Sequence, residues 1–404
     1  MKTADPELMR AINRFHVMDS IRRHGPISRV EICGRTELSP TTVSAITAAL
    51  IEDGLIVPRP IGAVRDAARG RPRVMLELNP EAAYVVGVKL APDQITIAAT
   101  NFRADLLASL AMPIRINRQP ASVIADLVED GVRRCIADAD LSLARVAGLC
   151  VGLPGIVERA SGVCRQSSVF GERDLPFAKE LSTRLGLPVS IDTDVNLVTL
   201  AEHWFGEVKG LSDFLVVSIE NNLGLGIMHN GELFRGAGGL SPDLGDLLVR
   251  PSAVGENRNR LAAIASESAI VAEALGATDS DRNGFALAGK ELDKVIELAQ
   301  TGDQRFIGIF AAAGDALGFA IANLITLFAP PKVIVGGAAV KAGPLLLGPL
   351  RETAAALTPS SLAHLAEIVV HEWSDEMWAR GAAAMTLRDL YGAPWNTTGP
   401  VLLR

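Results

Sequence analysis

Two short stretches near the start of the chain carry side chains whose chemistry suits contact with a nucleic acid. The first offers hydroxyl groups around the start of an apolar-periodic segment; its members are Ser39, Pro40, Thr41, Thr42 and Ser44. The second is a basic loop that contains Arg69, Gly70, Arg71 and Arg73. Hydroxyls near a helix N-terminus can reach base edges, and an extended run of arginines suits a narrow minor groove. The sequence therefore predicts contact with double-stranded DNA.

The hydroxyl groups lie within residues 25–56, which the sequence predicts to form two short helices joined by a tight turn. Ser28 followed by Glu31 is the pattern of a capping box at the first helix. Ser39 followed by Pro40 marks the start of the second helix. Apolar residues then recur at helical spacing and would face the core, which turns the hydroxyl-bearing face outward.

Further elements complete the pattern of a winged helix-turn-helix domain over residues 1–80. Apolar residues between positions 8 and 21 predict a preceding helix. Two apolar segments, Leu55 to Val57 and Val74 to Leu78, read as the strands of a wing that encloses the basic loop. An ordinary helical hairpin followed by a solvated linker is the alternative interpretation.

The distribution of charge divides the chain into a basic front and an acidic body. Residues 1–75 carry 12 Lys and Arg against 8 Asp and Glu, a net charge of +4, and the remainder carries 27 against 38, a net charge of −11. Phosphate would repel the acidic body, so contact with DNA is expected at the front alone.

Length and composition indicate a cytoplasmic protein of two or three domains. The chain has 404 residues, and we predict neither a signal peptide nor a membrane span because polar residues and prolines interrupt the most apolar stretch, residues 317–339. The four cysteines are too far apart for metal or disulfide motifs and are expected to be buried free thiols: Cys33, Cys135, Cys150 and Cys164. No metal and no cofactor is predicted.

Beyond Pro80 the sequence alternates between strand and helix patterns, which predicts an α/β fold with partly parallel sheets. The predicted strands are Tyr84 to Leu90, Ile95 to Thr100, Val146 to Val151, Val189 to Ile191, Phe214 to Ser218 and Gly226 to His229. The predicted helices are Ala121 to Ala139, Pro176 to Leu185, Leu197 to Phe205 and Asp315 to Ala329. The last could pack in the core or at a dimer interface.

Several sequence blocks occur in an order that resembles one protein family. After the winged helix come Gly70-Arg71-Pro72, VGLPGIVERASG from Val151, LGLPVSIDTDVN from Leu185, HNGELFRGAGGLSPDLGD from His229 and PPKVIVGGAAV from Pro330. In this order the blocks resemble the ROK family, which contains sugar-responsive repressors and sugar kinases. The resemblance implies an actin-like (ribonuclease H-like) body with two α/β lobes and a ligand cleft between them. The implied first lobe comprises residues 81–195 together with the C-terminal residues 375–404, which return to it. The implied second lobe comprises residues 196–374.

The resemblance places one carboxylate in the cleft. Asp194 matches the family kinases' central Asp, which takes the proton from the sugar hydroxyl, and a carboxylate just past a parallel strand would face the crevice where ligands bind. The alternative is that Asp194 caps a helix that begins at Val195. The two roles are compatible, and we expect a cleft role.

Two segments that match the kinases' phosphate loops differ from the family pattern. Lys89 to Asp93 stands where the kinases carry Asp-x-Gly-Gly-Thr, and Pro92 removes an amide donor. Glu220 to Asn222 replaces a Gly-Thr-Gly loop and adds a negative charge. Gly224 and Gly226 form only a weak match to a dinucleotide loop. We therefore predict no ATP binding and no enzymatic activity.

The sugar and zinc motifs also differ. Asp243 replaces a Glu and Asp246 replaces a His of the family's Gly-Glu-x-Gly-His segment, and residues 254–262 lack the family's cysteines. The ligand-binding residues that remain are Thr193, Asp194, Asn196, Gly239, Asp243 and Asp246. Their carboxylates favour donor-rich ligands such as polyols, sugars or amino sugars over sugar phosphates. A solvated loop is the alternative for Asp243 and Asp246.

Together these features predict a transcriptional regulator that represses genes of carbohydrate transport or catabolism. It would bind a two-fold DNA operator as a homodimer or tetramer and would respond to a sugar or polyol in its cleft. Two alternatives are a carbohydrate kinase with an appended DNA-binding domain and a repressor that binds no ligand and is controlled by a partner protein.

Overall fold

The computed structural model describes residues 6–59, 74–114, 119–236, 239–249, 259–276 and 288–392. The basic loop of Arg69, Gly70, Arg71 and Arg73 lies outside the described residues, as does most of the segment compared with the family's cysteine cluster. Within the described ranges the chain folds as an N-terminal helical unit followed by two five-stranded sheets with helices on their faces.

The N-terminal unit is a winged helix-turn-helix, as predicted. Its elements are α1 (Pro6–His24), β1 (Ile27–Ser28), α2 (Arg29–Thr36), α3 (Pro40–Glu52), β2 (Ile56–Arg59) and β3 (Met75–Leu78). The three strands form one sheet in the order β1, β3, β2. Both predicted caps are confirmed: Ser28 and Glu31 form a capping box, and the Ser39 hydroxyl accepts the backbone N–H of Thr42 at 3.1 Å. The second wing strand begins at Met75, one residue later than predicted.

The first sheet of the body has the strand order β10, β7, β4, β5, β6. Its strands are β4 (Tyr84–Leu90), β5 (Gln94–Asn101), β6 (Leu106–Pro113), β7 (Val146–Leu153) and β10 (Val189–Thr193), and β8 (Ile156–Glu158) pairs with β9 (Val163–Gln166) nearby. β10, β7 and β4 are parallel, and β5 and β6 are antiparallel additions. Helices α4 (Ala121–Asp138) and α5 (Phe177–Leu185) pack on this sheet.

The second sheet has the order β13, β12, β11, β14, β15. Its strands are β11 (Phe214–Ile219), β12 (Leu223–His229), β13 (Glu232–Leu233), β14 (Lys332–Gly336) and β15 (Glu367–His371). Its helices are α7 (Ala262–Ala265), α8 (Glu267–Leu275), α9 (Ala288–Gln300), α10 (Gln304–Phe328) and α11 (Pro344–Leu357). The last helix, α12 (Asp375–Leu390), returns to pack on β4, β5 and β7 of the first sheet.

One helix, α6 (Asp194–Phe205), lies between the two sheets and α12. Every residue from Val195 to Trp204 is buried. A Cβ on Gly226 of β12 would overlap Thr199, and one on Gly381 of α12 would overlap the backbone of Leu197, so both positions need glycine for close approach to α6. Gly226 is therefore explained by helix packing, with no need for a dinucleotide loop.

The sequence predicted that this helix begins at Leu197, which is wrong. Helix α6 begins at Asp194, because polar residues at its start are buried and hydrogen-bonded inside the body. The predicted lobe boundary after residue 195 consequently falls inside α6. The division of the chain at residues 80 and 195 stays a prediction.

Helix α10 is longer than predicted and begins at Gln304, eleven residues before the predicted Asp315. By length and composition it could cross a membrane, and among the described helices it is the only one that could. Half of its most apolar stretch is nevertheless buried inside the protein, and buried Phe310, Leu317 and Ile321 belong to the core under the second sheet. It is therefore a core helix of this body.

The close contact at Gly226 gives a testable prediction. Gly226→Ala should destabilise the fold by about 1–3 kcal/mol, because the added methyl group forces α6 away from β12. The matched control is Gly308→Ala on the exposed side of α10, where nothing lies within 4 Å of an added Cβ and alanine should stabilise by about 0.5–1 kcal/mol. Urea denaturation of both variants measures the difference, and equal effects would contradict the packing role of Gly226.

Candidate functional site

The exposed face of α3 is the candidate DNA-binding surface of the described chain. Ser39, Pro40, Thr41 and Ser44 are exposed around its N-terminus, as predicted. Thr42 differs from the prediction in being half-buried. Its hydroxyl is hydrogen-bonded to Ser39 Oγ at 2.8 Å, so its side chain is part of the N-terminal cap of α3.

The opposite face of α3 is held by one contact that sequence periodicity did not identify. Thr47 is fully buried, and its hydroxyl accepts a hydrogen bond from Arg29 Nε at 2.8 Å. The bond joins α3 to the start of α2 and fixes the angle at which α3 is presented.

A cavity of about 400 Å³ is lined by residues at the ends of strands from both sheets, and we call it the cleft cavity. Three of the predicted ligand residues line it: Thr193, Asp194 and Asp243. Gly239, Asn196 and Asp246 are not among the lining residues. The assignment of all six as ligand residues stays a prediction.

The side chains of Asn196 and Asp246 are engaged elsewhere. Asn196 is fully buried, and its amide donates to Asp192 Oδ1 at 2.8 Å and to Ser241 Oγ at 2.6 Å. Asp246 is largely exposed and forms an ion pair of 3.3 Å with Arg260. Asn196 therefore supports the cavity wall from behind, and Asp246 lies at the protein surface.

Asp194 begins α6 and borders the cleft cavity at the same time. Its Oδ1 accepts the backbone N–H of Val195 at 2.7 Å. The capping alternative is nevertheless wrong, because the helix begins at Asp194 and its N-cap residue is Thr193, whereas the position of Asp194 at the cavity wall fits the cleft interpretation. Burial raises the pKa of Asp194 above its usual value, and the nearby ammonium group of Lys89 opposes that rise only in part. The carboxyl group thus lacks a full counter-charge.

Next to Asp194 lies a buried ion-pair network that sequence reasoning missed. Arg235 binds both oxygens of Asp192, at 3.0 and 2.5 Å, and Arg159 lies 3.4 Å from Asp192 and 2.6 Å from Asp389. Burial opposes ionisation of Asp192, but the two guanidinium groups outweigh it and hold its pKa below the usual value. The network fixes the end of β10, from which Asp194 projects.

Lys89 is the best-paired cation of the cleft cavity. Its Nζ lies 2.7 Å from Asp375 Oδ1 and 4.5 Å from the centre of the Trp378 ring, and Gln94 holds the other Asp375 oxygen at 2.8 Å. Burial works against its charge, yet the carboxylates of Glu220 and Asp375 raise the pKa of Lys89 above its usual value. Lys89 therefore stays charged, and these two acids share its charge.

Two further acids line the cleft cavity and form no salt bridge among the described residues, although Lys89 lies near enough to Glu220 to lower its pKa in part. Burial raises the pKa of Glu220, which follows β11, and raises that of Glu267, the first residue of α8, to about 7. Glu267 is 4% exposed, and its Oε1 has no hydrogen-bond partner among the described residues. Nothing in the sequence around Glu267 signalled this position. The cavity can therefore accept hydrogen bonds from a ligand at several points.

The C-terminal end of α6 contacts the N-terminal unit. The guanidinium group of Arg22 in α1 lies 4.1 Å from the centre of the Trp204 ring, and Tyr391 stacks against the same indole with ring centres 5.8 Å apart. Asp19 holds Arg22 at 2.8 Å and Arg23 at 2.6 Å. One helix thus joins a wall of the cleft cavity to the domain that carries α3.

Comparison with known proteins agrees with this geometry. The model of the ROK family matches residues 85–389, and a model described as winged helix-turn-helix DNA-binding matches residues 10–57. Over 396 residues the chain is 26% identical to the xylose repressor of Caldicellulosiruptor bescii, a match that covers 96% of this chain and 98% of the relative.

Two solved structures show the same architecture. A ROK family transcriptional regulator, a homologue of the Escherichia coli MLC protein, matches with a TM-score of 0.76 and 25% identity over 95% of this chain and 97% of its own. A ROK family glucokinase from Streptomyces griseus, solved with glucose and AMPPNP, matches with a TM-score of 0.62 and 22% identity over 75% of this chain and 99% of its own. The glucokinase supports the fold of the body alone.

The raised pKa of Glu267 predicts a pH-dependent effect on stability. The unfolded chain releases this proton near pH 4.5 and the folded chain near pH 7, so folding loses free energy as pH rises through that window, by about 3 kcal/mol at most. Glu267→Gln removes the titration. Relative to the parent, its free energy of unfolding should therefore be higher at pH 8 than at pH 5 by up to that amount.

Urea denaturation at both pH values measures the change, with the exposed Glu352→Gln as a control whose difference from the parent should be constant. A Glu267→Gln difference that is the same at pH 5 and pH 8 would contradict the buried, unpaired state of this carboxyl group.

Proposed function

The chain belongs to the ROK family, as its motifs predicted, and on that premise we propose that it is a DNA-binding transcriptional regulator. It represses genes of carbohydrate transport or catabolism and is controlled by a small polar ligand in the cleft cavity. The observation that carries the proposal is the presence, in one chain, of an exposed recognition helix and a carboxylate-lined cavity joined by α6.

The DNA-contacting residues are those of α3 together with the arginine loop. We assign the base-edge contacts to Ser39, Pro40, Thr41, Thr42 and Ser44, and the minor-groove contacts to Arg69, Gly70, Arg71 and Arg73. The protein acts in the cytoplasm as a homodimer or a tetramer, so that two copies of α3 reach the halves of a two-fold operator. Exposed Phe319, Leu327 and Phe328 of α10 offer an apolar surface for such pairing.

The ligand is a sugar or polyol held by hydroxyl contacts. Thr193, Asp194 and Asp243 border the cavity and contact the ligand directly, and Asn196 orders the wall behind them. Gly239 and Asp246 lie on the loop that carries Asp243 and act by positioning it; the Asp246 N–H donates to Asp243 Oδ1 at 3.2 Å. Carboxylates suit this task because each can accept two hydroxyl donors.

The protein does not transfer phosphate. Pro92, Asp93 and Glu220 border the cavity in the two segments that match the kinases' phosphate loops, and two acids there would repel a nucleotide. The competing candidate is a carbohydrate kinase, favoured by the position of Asp194 at the cavity wall. Titration with ATP and magnesium separates the two, because only the kinase would bind the nucleotide.

The signal between the sites passes through α6. Ligand contact at Asp194 shifts the N-terminal end of the helix, and close packing makes the helix move as a unit. Its other end carries Trp204, which holds Arg22 of α1. A ligand that binds one position of α6 more tightly then changes the placement of α3 on DNA.

Substitution on α3 tests the DNA-binding assignment. Ser44→Glu places a carboxylate on the exposed face of α3 and should weaken binding to a duplex selected from a random-sequence library at least about tenfold, by repulsion and loss of base contact. The matched control is Ala137→Glu, which adds the same charge on the exposed side of α4 in the body. Fluorescence anisotropy at fixed salt measures both, and equal affinities would contradict the assignment of α3.

The contact between Arg22 and Trp204 tests the coupling. A thermal-shift screen of sugars and polyols supplies the ligand, and operator affinity is then measured with and without it. Arg22→Ala should reduce the ratio of the two affinities, expected at about 5- to 150-fold in the parent, towards one. Arg133→Ala, which removes an exposed ion pair with Glu129 on α4 of the body, should leave the ratio unchanged. An unchanged ratio in Arg22→Ala would contradict the route through α6.

A further inference from the structure

The start of α8 and the end of β11 bring two acids together at one side of the cleft cavity. The backbone N–H of Glu267 donates to the carbonyl oxygen of Glu220 at 3.0 Å, and the hydroxyl of Ser268 donates to the carbonyl oxygen of Asn221 at 2.7 Å. Glu220, Asn221 and Glu267 all line the cavity. Two separate elements therefore hold these side chains as neighbours.

Two oxygens at this side of the cavity lack a hydrogen-bond partner among the described residues, one on Glu267 and one on Asn221. Glu267 is only 4% exposed, and its Oε1 has no hydrogen-bond partner among the described residues. The side-chain oxygen of Asn221 is likewise buried without a described partner. Buried acceptors without donors cost free energy, so this place fits a ligand that supplies donors.

The charge of the surrounding wall is negative. The acids that line the cavity are Asp93, Asp194, Glu220, Asp243, Glu267, Glu372 and Asp375, against the two cations Lys89 and Lys341. Lys89 is shared between Asp375, at 2.7 Å, and Glu220, and so it offsets only part of this charge. The excess negative charge disfavours an anionic ligand and favours a cationic one.

The shape of the site points to an organic cation. Among the described residues no three His, Cys, Asp or Glu side chains converge closely enough to hold a metal ion. The cavity of about 400 Å³ has room for a small organic molecule, and an ammonium group can give several donors to nearby oxygens at once.

We propose that Glu220, Glu267 and the side-chain oxygen of Asn221 form a subsite for the primary ammonium group of the ligand. The inference rests on the proposed function and deepens it: the effector carries an amine in addition to the hydroxyl groups that Asp194 and Asp243 accept. The amine donates to the unpartnered oxygens of Glu267 and Asn221, and its charge offsets that of the two acids.

Matched pairs of compounds test the subsite on the full-length protein. Glucamine (1-amino-1-deoxysorbitol) is compared with sorbitol, and putrescine with 1,4-butanediol, each by isothermal titration calorimetry. Each amine should bind at least about tenfold more tightly than its neutral counterpart, because a hydrogen bond to a charged group replaces one to a neutral group. If neither amine binds more tightly than its counterpart, the ammonium subsite is wrong.

Variants locate the effect within the cavity. Glu267→Gln and Glu220→Gln keep the side-chain shape and should each weaken amine binding about tenfold while leaving the weaker binding of sorbitol unchanged. The control is Glu352→Gln, an exposed acid of α11 outside the cavity. Thermal denaturation checks that every variant is folded. Equal losses for amine and sorbitol would show that the acids do not recognise the charge.

Proton release gives a second readout. The groups that face Glu267 are Glu220, Asp93, Asp293 and Lys341; burial and the three acids raise its pKa to about 7, and Lys341 opposes them. A bound ammonium group lowers that pKa, so binding of glucamine at pH 7 should release protons and should tighten from pH 6 to pH 8. Calorimetry in buffers of different ionisation enthalpy measures the release, and the release should fall in Glu267→Gln and in Glu220→Gln.

The two proposals fail in distinguishable ways. If sorbitol binds as tightly as glucamine, the subsite is wrong and the sugar-responsive regulator stands. If the parent protein selects no particular duplex from the random-sequence library, the regulator is wrong whatever the amine does. Proton release that is unchanged both in Glu267→Gln and in Glu220→Gln would also overturn the subsite, because a group outside it would then be responsible.

Discussion

The close packing of α6 is the constraint on which the rest of the body depends. The helix is buried from Val195 to Trp204 and lies against glycines of both sheets and of α12. Buried Glu202 also accepts a hydrogen bond from Trp373 at 2.7 Å and another from His371 of β15. A helix held in this way cannot bend locally to accommodate a ligand, because close-packed interiors transmit displacement. A change at Asp194 must therefore be absorbed by motion of the whole helix or by the sheets beside it.

The electrostatics of the body follow from where that helix begins. Asp192 and Asp194 are two residues apart, yet their pKa values move in opposite directions. Burial acts on both, but Arg235 and Arg159 compensate Asp192, while Lys89 compensates Asp194 only in part. The first acid is consequently structural and holds the end of β10. The second keeps free acceptor capacity at the cavity wall, and Glu220 and Glu267 add to it. These acceptors are the basis of the proposal that the cavity takes a donor-rich ligand rather than a nucleotide.

Local signals made the N-terminal unit and most strands predictable. Ser28 with Glu31 and Ser39 with Pro40 specify helix starts within four residues of sequence, and β4 was predicted with its exact ends. The start of α6 was missed because Thr193, Asp194 and Asn196 look like a loop until burial and tertiary hydrogen bonds are known. Arg159 and Arg235 pair with Asp192 from 33 and 43 residues away along the chain. Pairs so far apart in sequence leave no periodic pattern from which they could be predicted. Glu267 lies in no motif, so only its burial beside Glu220 identifies it.

The central claim is that this chain recognises particular DNA sites in order to control genes of carbohydrate use. The most direct test is to incubate the purified protein with fragmented DNA of its own genome and to sequence the bound fragments, with Ser44→Glu protein as the reference. The account predicts enrichment of a few palindromic sites beside transport and catabolic genes for the parent protein alone. Equal recovery of fragments by both proteins, with no shared sequence among them, would contradict it.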